Sequence, residues 1–233
     1  MSEVIQLQTE GNLALVTLND GKANVFSHAL IEQFHAALDR VEADDAAGAV
    51  VITGQGKCFS GGFDLTVMNN GAEAVRALVG AGAQLAIRLY EYPKPVVIAC
   101  NGHAMAMGAI LLFTADWRTG NNGSFRIGMN ETAIGMTMPE FGAELARDRL
   151  SPRYFTRAVA GAEIFPPDEA VEAGFLDEAV DELSVLDLAC VQAERLAKLH
   201  PRAFAATRRR TRGPTLARIR GGLEADLAGL DRG

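Results

Sequence analysis

At 233 residues, with 48% hydrophobic and 22% charged side chains, the chain is long enough to bury a sizeable core and too apolar for a disordered or fibrous protein. A net charge of −7 argues against nucleic acid as a partner, which calls for a basic surface. Cys58, Cys100 and Cys190 stand too far apart for a disulfide framework or a metal cluster and suit a reducing compartment. The first residues, Met1-Ser2-Glu3-Val4-Ile5-Gln6, carry an acid early and lack the basic start and apolar centre of a signal peptide. Asp231-Arg232-Gly233 is no peroxisomal address, and no apolar run approaches the ~20 residues of a membrane span, so a cytoplasmic protein without a membrane partner is expected.

Residues 4–8 and 13–18, split by Glu10-Gly11-Asn12, predict an N-terminal β-hairpin. Ser27 predicts an N-cap for a helix through residue 43, with Leu30, Ile31, Phe34, Leu38 and Val41 on one face. A strand over 49–53 then leads into a glycine-rich loop over 54–65, and residues 72–91 predict a helix. The unbroken apolar run 96–100, between Pro95 and Asn101-Gly102, reads as a strand buried on both faces. There the chain must turn: Asn101-Gly102 permits a positive φ, and Gly108 allows close backbone approach before a two-turn helix over 109–115. Free N–H groups at the start of that helix favour an anion, or an oxygen about to become one.

Further on, a short strand over 117–119 and the run 124–127 flank Gly120-Asn121-Asn122-Gly123, which predicts a turn. Helices are expected over 142–150 and 152–160, and another opens at Pro166-Pro167-Asp168 and closes at Gly174. From 183 onward the composition is helical, broken by Pro201 and by Gly213-Pro214. Strands interleaved with helices followed by a helical tail predict an α/β core over 1–182 and a helical region over 183–233. Parallel strands place a ligand at their carboxyl ends, where both glycine-rich loops fall.

Several chemistries are disfavoured by the motifs. No Gly-x-Gly-x-x-Gly marks a dinucleotide site, and no Gly-x-Ser-x-Gly elbow supports a triad of Ser60 or Cys58 with His28, His35 or His103. Glu131 stands alone in an uncharged stretch from 127 to 139, and a carboxylate in apolar surroundings is raised in pKa as a general base near neutral pH requires. Met105, Met107, Met129, Met136 and Met138 fit either ordinary core or an adaptable pocket. The basic block Arg208-Arg209-Arg210-Thr211-Arg212 fits a solvated helix face or a phosphate-attracting patch.

Phe59-Ser60-Gly61-Gly62-Phe63-Asp64-Leu65, then Lys94 to Ala104, then Ala115-Asp116-Trp117-Arg118, in this order and spacing, resemble the crotonase (enoyl-CoA hydratase/isomerase) superfamily. The likeness covers nearly the whole chain, and Ile127 to Gly135 with Glu163 to Pro167 looks most like the mitochondrial-type Δ3,Δ2-enoyl-CoA isomerases. It implies a spiral of ββα units with two sheets, a C-terminal helical region used in trimer assembly, and a homotrimer or dimer of trimers. The substrate implied is an acyl-CoA thioester, with no metal and no cofactor beyond the CoA of the substrate. Its residue roles carry over as Glu131 for the catalytic base and the Phe63 and Met107 N–H groups for an oxyanion hole. Lys22, Ala23, Ser60, Gly61, Gly62, Asp64, Leu65, Gly108 and Arg208 carry over as substrate- or CoA-binding positions.

The hydratases of the family carry two glutamates, and the first falls on Ile110 here. Moving a double bond needs one base, whereas adding water needs two carboxylates. The resemblance therefore implies an isomerase, against the alternatives of thioester hydrolysis, a C–C bond change, weak hydration or non-catalytic acyl-CoA binding. Met107 at an oxyanion position predicts a narrowed pocket or an altered chemistry, and the early end of the chain predicts a short or missing final helix over the acyl pocket.

Overall fold

The computed structural model describes residues 3–230. Strands β1 (Ile5–Glu10) and β2 (Leu13–Leu18) form the expected hairpin, with Gly11 at φ +58 in its turn. Helix α1 (His28–Ala43) starts at Ser27, whose Oγ accepts the Leu30 N–H at 3.2 Å. Next come β3 (Ala49–Gly54), β4 (Cys58–Ser60), α2 (Leu65–Met68) and α3 (Ala72–Glu91), then β5 (Val96–Cys100), β6 (His103–Met105) and α4 (Met107–Leu112). The chain continues through β7 (Trp117–Asn121), β8 (Ile127–Gly128), α5 (Glu140–Arg149), α6 (Pro152–Val159), α7 (Pro167–Ala173) and β9 (Glu178–Val180). Helices α8 (Val185–Ala197) and α9 (Pro201–Gly229) end it.

Six strands make one sheet in the order β1-β2-β3-β5-β7-β9, parallel except for the first pair. The short strands β4, β6 and β8 make a second, parallel sheet. Three successive segments thus each give one strand to the large sheet and one to the small sheet before a helix, which is the expected spiral of ββα units with a helical C-terminal part.

Strand alternation explains why β3 and β5 are buried on both faces. Val50, Ile52, Val96 and Ile98 point into the main core with α1 and α3, while Ala49, Val51, Val97 and Ala99 meet Val185, Ala189, Ala193 and Leu196 of α8. The C-terminal helices are built into these cores, since α9 adds Leu216, Ile219 and Leu223 to the larger one.

Four local expectations need correction. Gly120 and Asn121 lie in β7 rather than in a turn, because Gly120 is packed under the Leu176 side chain and Asn121 Nδ2 donates to Asn101 O at 3.2 Å. The run 124–127 yields only the two-residue β8. Helix α4 starts at Met107, two residues early. Finally, α9 runs unbroken through Gly213-Pro214. Its buried face, Arg208, Arg212, Thr215, Leu216, Ile219 and Leu223, holds the helix on both sides of the proline, which is exposed.

Candidate active site

The three strands of the small sheet run parallel and end on one edge. Ser60 closes β4 and leads to Gly61-Gly62-Phe63, Met105 closes β6 and leads to Ala106-Met107, and Gly128 closes β8 and leads to Met129-Asn130-Glu131. The Ala106 N–H donates to Gly128 O at 3.0 Å, fixing the second exit against the third. A Cβ on Gly62 would stand 2.8 Å from Ala106 Cβ and 3.5 Å from Met107 N, so the first exit lies against the second. Phe63, Met107 and Glu131 therefore leave from neighbouring strand ends, as ligand-binding loops of parallel sheets do.

Gly108 is where the sequence predicted close approach. A Cβ there would come within 2.6 Å of Ser60 O. The positive φ falls elsewhere than expected: Ala106, at φ +50 and ψ −122, takes it. A non-glycine residue held there stores strain, tolerated where surrounding contacts over-determine the backbone.

Among the described residues neither the Phe63 nor the Met107 N–H has a hydrogen-bond acceptor, and Met107 N begins α4, where helical N–H groups are unpaired. The Met107 side chain is fully buried, and its Cε lies 3.6 Å from where a Cβ on Gly82 of α3 would stand. The Phe63 ring comes within 2.5 Å of that same point. Gly82 thus makes room for both side chains inside the core.

Glu131 is 5% exposed, and its Oε2 has no hydrogen-bond partner. Burial pushes its carboxyl up to about 7. Its main-chain oxygen accepts the Met136 N–H at 2.9 Å, and a 3₁₀ turn over Thr132–Ile134 follows. Ile110, fully buried, packs against the Gly142 backbone, 2.8 Å from where a Cβ there would stand. One buried carboxylate and two unpaired amides can take a proton from a carbon and hold the negative oxygen that results.

A cavity of about 600 Å³ opens between segments that follow Phe63 and Glu131 in the chain, without either residue in its lining. Leu65 and Met68 of α2, Val75 of α3, Ile134, Met136 and the last turns of α9 line it. The final helix thus reaches this pocket, contrary to the expectation of a short one. Asp64 caps α2, its Oδ1 accepting the Thr66 N–H at 2.9 Å. Lys22 and Ala23 sit in a loop held by Asp20, whose carboxylate takes the N–H groups of Lys22, Asn24 and Val25, each at 2.8 Å. Ala23 O accepts the Gly61 N–H at 2.8 Å, which joins this loop to the first strand exit.

Arg208 is the site residue that the structure places elsewhere. It is 5% exposed and pairs with Asp116, while donating to the carbonyls of Tyr92 and Lys94. Arg212 binds the other Asp116 oxygen at 2.8 Å and the carbonyls of Tyr90, Thr114 and Ala115. The pair closes the amino ends of β5 and β7, whereas the site loops leave from the other end, so the Arg208 guanidinium is committed to the fold rather than turned toward these loops.

The disfavoured triad stays unassembled. Ser60 Oγ accepts the Gly62 N–H at 3.1 Å, and Cys58, raised to about 11 by burial, donates its Sγ–H to His103 O. Among the described residues no cluster of three His, Cys, Asp or Glu side chains is placed to hold a metal ion. None of the described helices is long and apolar enough to cross a membrane.

The sequence model of the enoyl-CoA hydratase/isomerase family matches residues 8–227. The chain belongs to this family. A solved Mycobacterium tuberculosis structure described as an enoyl-CoA isomerase is 38% identical, with a TM-score of 0.93, covering 98% of this chain and 99% of its own. The mitochondrial enoyl-CoA delta isomerase 1 of Rattus norvegicus is 28% identical over 182 residues, 77% of this chain and 63% of the rat protein. The match therefore spans less than two thirds of that relative, and it bears out the kinship with the mitochondrial type. A probable enoyl-CoA hydratase of Bacillus subtilis is also 28% identical, over 87% of this chain and 79% of its own.

Proposed function

We propose that the protein is an enoyl-CoA isomerase acting on an acyl-CoA thioester. The thioester oxygen lies between the Phe63 and Met107 N–H groups, and Glu131 removes a proton from C2 of a 3-enoyl-CoA. The electrons move onto the oxygen, whose enolate charge the two amides stabilise, and Glu131 returns the proton at C4. The product is the 2-enoyl-CoA, with no change in oxidation state and no water consumed.

The observation that carries this reading is a single buried carboxylate with an unpartnered oxygen, while the second carboxylate's place holds the apolar, packed Ile110. Hydration would leave the attacking water with one carboxylate where two are needed. The loops around Lys22, Ala23 and 60–65 hold the CoA part in this reading, and the C-terminal helices take part in a trimer or a dimer of trimers.

The test compares isomerisation of a 3-enoyl-CoA with hydration of a 2-enoyl-CoA, followed together with C2 proton–deuterium exchange. Isomerisation and exchange are expected from the native protein and lost in Glu131→Gln, with hydration slow or absent. Hydration as fast as isomerisation overturns the reading. Exchange without a product would keep the base and oxyanion hole and transfer them to another reaction of the family.

A further inference from the structure

The segment between β2 and α1 is clamped by two side chains that take no part in the chemistry above. Asp20 gathers the Lys22, Asn24 and Val25 N–H groups onto its carboxylate. Asn24, 1% exposed and at φ +52, ties the segment sideways to the turn between β3 and β4. Its Nδ2 donates to Gln55 O at 3.1 Å and to Cys58 O at 2.7 Å, and its Oδ1 accepts the Asp20 N–H at 3.2 Å. Asparagine suits a left-handed backbone better than most side chains do, and both of its amide hydrogens are used here.

What the clamp holds is residues 23–26, which run beside the first strand exit. The Gly61 N–H donates to Ala23 O at 2.8 Å, the Phe26 N–H to Gly62 O at 2.8 Å and the Asp64 N–H to Phe26 O at 3.2 Å, with a parallel bridge between Phe26 and Phe63. The middle bond decides where an amide points. Gly62 C=O and Phe63 N–H belong to one planar trans peptide, whose two polar bonds point in opposite directions. With its oxygen bound to Phe26, this peptide aims the Phe63 N–H away from residues 23–26, where among the described residues it meets no acceptor. The hydrogen bond onto the oxygen also polarises the peptide and makes its N–H a stronger donor.

We infer that Asp20 and Asn24 are positioning residues for the oxyanion hole: through Phe26 they fix the plane of the Gly62–Phe63 peptide, and with it the direction of the Phe63 N–H. This rests on the reading of that amide as a holder of the thioester oxygen and deepens it. Neither side chain has to touch the acyl group. Losing them therefore weakens the transition state, where the oxygen carries most charge, more than it weakens the binding of CoA.

The experiment follows the thioester carbonyl stretch of bound butyryl-CoA, isotopically labelled at that carbon, by infrared difference spectroscopy. It compares the native protein with Asn24→Gly, which keeps the positive φ and removes the side-chain ties. Butyryl-CoA has no double bond to move, so this arm does not depend on the isomerase reading. Binding to the native protein is expected to lower the carbonyl frequency below its value in water, and Asn24→Gly to lose most of that shift. The dissociation constant for butyryl-CoA should stay within about threefold, while kcat for the proposed isomerisation falls at least about tenfold, against about 10²- to 10³-fold for outright loss of an oxyanion donor. Where Asn24→Gly does not fold, Asp20→Asn, which keeps the shape and surrenders an acceptor, carries the same comparison. A native protein without the carbonyl shift overturns the oxyanion hole and this inference together. A native shift that the variants retain in full, or a loss of CoA affinity as large as the loss of kcat, leaves the oxyanion hole standing and overturns the positioning role alone.

Discussion

At the scale of the residue, Glu131 is held in an environment that costs stability at neutral pH. Its folded pKa of about 7 lies above the ordinary 4.5, so the folded state holds its proton more tightly than the unfolded one. Stability from this group is therefore complete below pH 4.5 and is lost as pH rises through 7. Glu131→Gln, which keeps the shape and cannot ionise, is expected to gain on the native protein by about 3 kcal/mol between pH 4.5 and 8, read from urea unfolding midpoints at both pH values. Turnover has the opposite need, since the base must be deprotonated. The native kcat/KM is expected to rise with pH through about 7, and Glu131→Gln to lose about 10²- to 10⁴-fold in kcat. A flat pH profile together with retained turnover removes Glu131 from the reaction. The uncharged stretch 127–139 made this residue legible in the sequence, because a lone acid among apolar neighbours signals burial. Arg208 was not legible. A run of arginines reads as solvated, and the sequence does not reveal that every fourth position, Arg208 and Arg212, turns inward onto Asp116.

At the scale of the element, the long strands and helices were readable and the small sheet was not. Strands β4, β6 and β8 have three, three and two residues, too few for any alternation to emerge, and they exist because the loops they sit in pair with one another. Glycine was the trace they left in the sequence. Gly62→Ala places a methyl group against Ala106 Cβ at 2.8 Å and on a φ of +97, so it is expected to push apart the two strand exits that carry Phe63 and Met107. The kcat of the proposed isomerisation should fall by at least about tenfold, with CoA affinity kept within a few-fold, since the lost interaction acts on the transition state. An unchanged kcat would detach the two amides from the reaction. Pro214 is the opposite case, a residue whose local preference tertiary packing overrides. It is exposed and inside α9, so Pro214→Ala restores a helical N–H without touching the core and is expected to stabilise the fold by about 1–3 kcal/mol in urea titrations.

At the scale of the whole molecule, two devices join the tail to the body. Helix α8 covers the second face of the large sheet, and α9 is riveted by Asp116, whose two oxygens receive Arg208 and Arg212 while Oδ2 also accepts the Val96 N–H at 2.8 Å. Removing that carboxylate strands two buried cations. Asp116→Ala is expected to destabilise the protein by about 3–5 kcal/mol while leaving kcat per folded molecule near native, because the rivet closes the end of the sheet away from the site loops. A folded variant with lost turnover and undiminished unfolding midpoint would reverse that assignment.

The site loops are contributed by strand ends at Ser60, Met105 and Gly128, so no contiguous stretch of the chain holds the site by itself. During refolding, helices form from neighbours in sequence, whereas these three ends must find one another across loops of tens of residues. Recovery of catalytic activity after dilution from denaturant should then trail the return of helical circular dichroism, and turnover becomes a clock for the last long-range contacts of the fold.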